Sequence, residues 1–186
     1  MKLAPGSARW YRAVGTGHIN ATPWAAGGVA CMGLWFAWTN PAAPSFGLDL
    51  PEALAIVLRT PLYGGALAAI AFVWFAVTAR VLGSPTSMRR IFEAVMAAWV
   101  APTLLRLVSI GGLTAASTQS RFARTLLHES SDGIVMATHL WLVVATGIAL
   151  GQAGRLPLPR VIAVMLCPFV LMLLAMALVP AIAHAG

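Results

Sequence analysis

GIVMATHLWLVVATGIALGQAG, running from Gly133 to Gly154, contains no charged residue. A helix crosses about 30 Å of hydrocarbon with about 20 mainly apolar residues, so this stretch reads as a transmembrane span. Two others meet the same test: Leu62 to Ala79, closed by Arg80, and Val161 to the C-terminus. A fourth, Ile91 to Leu113, holds Glu93 near its start and Arg106 inside it. Pro23 to Asn40 is apolar but short, and Trp24, Trp35 and Trp38 bracket it as an interfacial aromatic belt would. A re-entrant or in-plane segment is the competing reading there. The fold expected is all-α, a polytopic transmembrane helical bundle with five spans near 23–40, 62–82, 91–113, 133–153 and 161–183. Residues 1–22 form a basic cytoplasmic segment ahead of this single transmembrane domain, 23–186.

Composition agrees. Of 186 residues, 60% are hydrophobic and 9% charged, with a mean hydropathy of +0.85. A soluble domain carries about 25% charged residues because its surface must face water. This chain cannot cover itself that way, so most of its surface must face lipid. The charge that remains is basic, twelve Lys and Arg against five Asp and Glu. Nucleic-acid binding would need a basic, aromatic-laced face on a soluble surface, and no such face is present. The first twenty residues hold no apolar signal core, so the chain is expected to keep its N-terminus.

With five spans, one side receives Lys2, Arg9, Arg12, Arg80, Arg89, Arg90, Arg155 and Arg160, and the other Arg59, Arg121 and Arg124. The positive-inside rule then puts the N-terminus in the cytoplasm and the C-terminus outside. Two connections carry structure of their own. Asp49-Leu50-Pro51-Glu52 looks like a helix start, and Glu52–Leu58 reads as a short interfacial helix ending before Thr60-Pro61, where proline discourages helix. Residues 120–131 read as an interfacial amphipathic turn or two.

Arg106 is the first candidate for function, because an ionisable residue inside a span is costly. It either snorkels toward the outer interface or binds a lipid phosphate or acidic partner. Pro102, four residues earlier, removes the hydrogen bond to the Ala98 carbonyl and favours a kink, which transporters use at ion sites. Glu93 follows Arg89 and Arg90 by four and three residues, so an ion pair near the cytoplasmic interface competes with a proton-carrying role. His139 reads as a polar helix contact or a haem ligand, with His18, His128 and His184 in a tail, a loop and the C-terminus. Cys31 and Cys167 lie in apolar runs without metal-ligand spacing. Gly64-Gly65, Gly111-Gly112 and the Gly147, Gly151 pair allow close helix approach. The sequence carries no nucleophile–base pairing, zinc-protease motif, phosphate loop or CxxC, so no enzyme is expected. No cofactor is expected either, with haem or quinone left open.

From Ala76 to Leu107 (AVTARVLGSPTSMRRIFEAVMAAWVAPTLLRL) the arrangement resembles the Yip-domain family of multi-pass membrane proteins, especially its bacterial branch. The features are Leu82-Gly83-Ser84, Ser87-Met88-Arg89-Arg90 and Ala101-Pro102. Trp141 to Val164 has the family's look too, with Arg155 and Arg160 in a short polar turn. The resemblance implies a five-span bundle, a cytoplasmic N-terminus and a bacterial cytoplasmic membrane. The function expected is a scaffold or accessory subunit whose partners are membrane lipids and other membrane chains. A transporter or channel component built on the third span, and a haem- or quinone-associated anchor subunit, are the alternatives.

Overall fold

The computed structural model describes residues 4–39, 52–118, 120–167 and 170, and every regular element among them is helical. Helix α1 (Ala8–Thr16) is capped by Ser7, whose hydroxyl accepts the Trp10 N–H at 3.2 Å. Helix α2 spans Thr22–Thr39. Helix α3 is a rod of three stretches, Glu52–Ala71, a π-helical Phe72–Val77 and a last turn Thr78–Val81. Helices α4 (Met88–Ser117), α5 (Arg121–Gly154) and α6 (Leu158–Cys167) complete the described chain.

Among the described residues, three helices are long and apolar enough to cross a membrane: Leu54–Val81, Met88–Ser117 and His128–Gly154. The chain is therefore an all-helical protein of membrane-spanning type. The short first segment forms a helix of 18 residues, α2, which is not among those three. Of the expected last span, Leu158–Cys167 is a helix; its C-terminal part, and the proposed cap Asp49-Leu50-Pro51, lie outside the described residues.

Two local expectations need correcting. Residues Glu52–Leu58 are not a separate interfacial helix, because α3 runs straight through Pro61. A proline costs the hydrogen bond to residue i−4, but Pro61 is exposed, on the side of α3 that borders a groove beside α2. In lipid the backbone has nothing better than helix to offer its other polar groups. Arg59, counted above with the outer loop, consequently lies buried within this rod. Residues 120–131 likewise form the first turns of the 34-residue α5. Within the N-terminal segment, α1 places Trp10, Tyr11 and Val14 in the core and leaves Arg9 and Arg12 exposed.

Helix α4 is the centre of the bundle. Its apolar window is 61% buried, against 22% for α3 and 28% for α5. Antiparallel α5 packs along it, as the pairs Trp99–Thr146 and Arg106–Thr138 show. Helix α2 runs beside it in the same direction, with Gly28 against Met96, Thr103 bonded to Met32, Arg106 against Trp35 and Gly111 near Trp38. Helix α3 packs on α2 and touches α4 through its π-helical stretch, where Phe72 meets Phe92 and Phe75 meets Trp99 edge-on.

Lipid tails are as apolar as leucine, so helices associate in a membrane by close packing and hydrogen bonds rather than by the hydrophobic effect. Both are present. A Cβ on Gly28 would strike the Met96 carbonyl, and one on Gly33 would strike the Thr60 carbonyl. Only a hydrogen atom fits at those two contacts. Trp99 Nε1–H donates to Thr146 Oγ1 at 2.9 Å, in a buried pair. At the arginine-rich end, buried Ser84 donates to the Gly154 carbonyl at 2.7 Å, and Arg80 donates to the Ser84 carbonyl at 2.8 Å. These bonds tie the α3–α4 turn to the end of α5.

Helix α1 docks along the C-terminal part of α5, with Gly15 against Gln152 and Gly6 reaching Trp141 and Ala101. Trp10 makes edge contacts with Tyr11 and Trp24 at 5.3 and 5.2 Å. Burial pushes the Tyr11 hydroxyl up to about 12 from its usual 10.0, the neighbouring Trp141 offsetting part of the rise. The hydroxyl has no hydrogen-bond partner of good geometry. Because the folded value lies above the unfolded one, docking of α1 is fully favoured below pH 10.0 and weakens as pH rises toward about 12. Tryptophan fluorescence followed against pH should show α1 loosening in that window. Tyr11→Phe should abolish that transition and leave stability equal or higher, because a buried unpaired hydroxyl is removed.

Candidate functional site

Arg106 lies at the junction of α2, α4 and α5, only 3% exposed. It does not snorkel outward. Its Nε donates to Thr138 Oγ1 at 2.8 Å, and a terminal nitrogen donates to the Val135 carbonyl at 3.4 Å. Its guanidinium carbon stands 5.1 Å from the centroid of the Trp35 ring. The Thr138 hydroxyl, having accepted from arginine, turns its own proton to the Ile134 carbonyl at 2.8 Å.

Magnitudes explain how the charge is tolerated. A central arginine costs about 2.5–3.5 kcal/mol on insertion scales. Interhelical hydrogen bonds in membranes contribute about 0.6 kcal/mol on average, and a desolvated cation–π contact contributes about 2 kcal/mol. Two bonds and one ring face together roughly offset the cost. Among the described residues no carboxylate pairs with Arg106.

The other sequence candidates are not gathered around it. Pro102 is buried on α4 inside an unbroken helix. Glu93 sits near the other end of α4, paired with Arg89 Nε at 2.9 Å, which is the ion pair its spacing suggested. Arg90 diverges from Arg89: it donates to the Gly15 carbonyl at 3.4 Å and lies against Gly17. That places a cation at the C-terminus of α1, where the helix dipole favours it. His139 is exposed on α5, with Nδ1 2.8 Å from the Val135 carbonyl. Since a carbonyl only accepts, Nδ1 carries the proton. Residues 171–186, with His184, lie outside the described residues, so a second histidine at its depth is not in view. Cys31 and Cys167 are free thiols.

Two voids meet near the Arg89–Glu93 pair. A groove of about 940 Å³ runs between α2, α3 and the start of α4, walled by Ala26, Val29, Ala30, Leu34 and Gly65 among others. A smaller cavity of about 260 Å³ lies beneath the α1–α2 turn, lined by Asn20, Ser87 and Arg90. Arg89 and Glu93 line both.

Sequence reading singled out Arg106 but not its partners. Thr138, Trp35 and Thr146 sit in segments that read as uniformly apolar, and single hydroxyls there give no periodic signal. The amphipathic spacing of Trp10, Tyr11 and Val14 against Arg9 and Arg12 could have revealed α1.

No protein-family model, curated protein or solved structure matches the chain. Its function is therefore argued from its own residues.

Proposed function

We propose that this chain is a non-enzymatic integral membrane protein that works as a scaffold or accessory subunit, through contacts with lipid and with other membrane chains. One observation carries the reading. The two long helices beside α4 keep most of their apolar surface outside the bundle, while the costly polar group within it, Arg106, is engaged by Thr138, Val135 and Trp35. A transport path on the third span would set Arg106, Pro102 and Glu93 along one opening. Arg106 and Pro102 instead face packed helices, and Glu93 is tied to Arg89.

The same reading places the chain in a bacterial cytoplasmic membrane with five crossings, N-terminus inside and C-terminus outside, in keeping with the resemblance to Yip-domain proteins. Arg80, Arg89, Arg90, Arg155 and Arg160 flank the helix ends that meet at the Ser84–Gly154 contact, which supports a cytoplasmic face there. The register of α2 along α4, from Gly28 at Met96 to Trp38 near Gly111, supports α2 crossing with it. A cysteine at Ser87 should then react with an impermeant maleimide only from the cytoplasmic side, and one at Ser117 only from outside. The opposite pattern would reverse the orientation.

The functional reading is tested by photo-crosslinking in cells from outward positions Val73 and Met136, with buried Ala97 as control. Discrete protein adducts at the outward positions are expected. No adduct at either, together with solute flux in proteoliposomes that Arg106→Met abolishes, would establish the transporter reading instead.

A further inference from the structure

The two voids at the Arg89–Glu93 pair have complementary chemistry. The large one is walled almost wholly by apolar side chains of α2 and α3, and Arg89, Glu93 and Thr22 stand at one end. The lining runs along α2 from Thr22 to Leu34, twelve residue steps, or about 18 Å of helix. That is close to the depth of one leaflet, half of about 30 Å. The small void continues past the same pair into a polar setting, with the first turn of α4 at Ser87 and the cationic side chains of Arg89 and Arg90. Arg89 is 80% exposed and gives only its Nε to Glu93, so its terminal nitrogens remain available. An elongated apolar groove that ends on Arg89, with Arg90 in the adjoining polar cavity, fits an amphiphile with one anionic head.

We infer that this composite site binds one anionic phospholipid from the arginine-side leaflet, an acyl chain in the groove and the phosphate at Arg89 and Arg90. This deepens the contact function proposed above and rests on it. The charge balance of the rim, two arginines against Glu93, favours an anion but leaves a repulsive group beside it. The two signs therefore give opposite predictions. Each arginine near a lipid surface is worth about fivefold in anionic-lipid affinity.

Gly65 provides the test of the groove. A Cβ there meets nothing within 4 Å, so Gly65→Leu is expected to fill the lining while the backbone packing of α2 on α3 stays in place. The experiment uses the full chain, exchanged into detergent and titrated with dioleoyl phosphatidylglycerol, dioleoyl phosphatidylcholine or inorganic phosphate, with bound lipid counted by native mass spectrometry. One phosphatidylglycerol should bind at least about fivefold more tightly than phosphatidylcholine, and inorganic phosphate should not displace it. Arg89→Gln should weaken binding about fivefold, Glu93→Gln should strengthen it, and Gly65→Leu should abolish it. Ala26→Leu, also on the groove, repeats the test if Gly65→Leu fails to fold. Equal binding of the two lipids, displacement by inorganic phosphate, or binding untouched in both groove-filling variants would overturn the inference. Photo-crosslinks to partner chains would survive those outcomes, so failure of the lipid site is distinguishable from failure of the contact function.

Discussion

Substituting valine for Gly28 is expected to detach α2 from the centre of the bundle. The first new carbon would occupy the space of the Met96 carbonyl oxygen. A backbone group held in a helical ladder cannot turn aside as a side chain can. Overpacking in soluble cores costs about 1–3 kcal/mol and occasionally more, and a clash with main chain belongs at the upper end. Gly33→Val should act similarly on the other face of α2, where the Thr60 carbonyl and the Gly64 nitrogen stand in the way. Gly112→Ala is the control, since nothing lies within 4 Å of its Cβ. Removing a glycine from a helix interior should there stabilise by about 0.5–1 kcal/mol. Unfolding in mixed micelles, followed by circular dichroism, would rank the three. A Gly28→Val protein as stable as the parent would show that α2 does not rest on α4 at this contact.

The second large effect concerns Arg106. Arg106→Ala should destabilise by about 2–4 kcal/mol, as a cavity opens where the side chain filled the three-helix junction. Arg106→Met keeps most of that volume and removes both the cost of the charge and the contacts that offset it. It should fall within about 1 kcal/mol of the parent. Thr138→Val leaves the guanidinium in place without its nearest acceptor, and should cost about 1–3 kcal/mol. The double variant Arg106→Met/Thr138→Val should then be no worse than Arg106→Met alone, because the residues act as a unit. Strict additivity of the two substitutions would mean that the 2.8 Å bond contributes nothing.

A milder effect is expected at the Arg90–Gly15 contact. Arg90→Ala should loosen α1 by about 0.3–1 kcal/mol, the range for a cation at a helix end, and less so at high salt. Exposure of Trp10 to an aqueous fluorescence quencher would report it.

Much of the architecture was legible because lipid imposes one strong rule, that apolar runs of sufficient length become helices. The stretches around 62–82, 91–113 and 133–153 lie in helices at those positions. The same rule misled at their edges. Pro61 and the polar run 120–131 read as boundaries from local signals, yet α3 and α5 extend through them. Helix continuity is decided by backbone hydrogen bonding over the whole rod, and a single proline turned outward does not outweigh it. Helix α1 was missed for a different reason: its amphipathic spacing is present in the sequence, but nine residues fall far short of the length that marks a span.

The candidate site was half legible. A charge in an apolar run announces itself, so Arg106 stood out. What it does depends on a threonine 32 residues away and a tryptophan on α2, and nothing in a linear reading couples those positions. Glu93 shows the reverse case: its partner lies four residues back on one helix, so spacing alone identified Arg89. The groove was not legible, because it is made of the gaps left by alanine and glycine on two helices.

The measurement that bears most directly on the contact function is native mass spectrometry of the protein extracted with its surrounding bilayer, without detergent. The account predicts a defined assembly carrying phospholipid, partner chains, or both in fixed ratio to this chain. A bare chain, free of lipid and partners under conditions that preserve its helices, would contradict it.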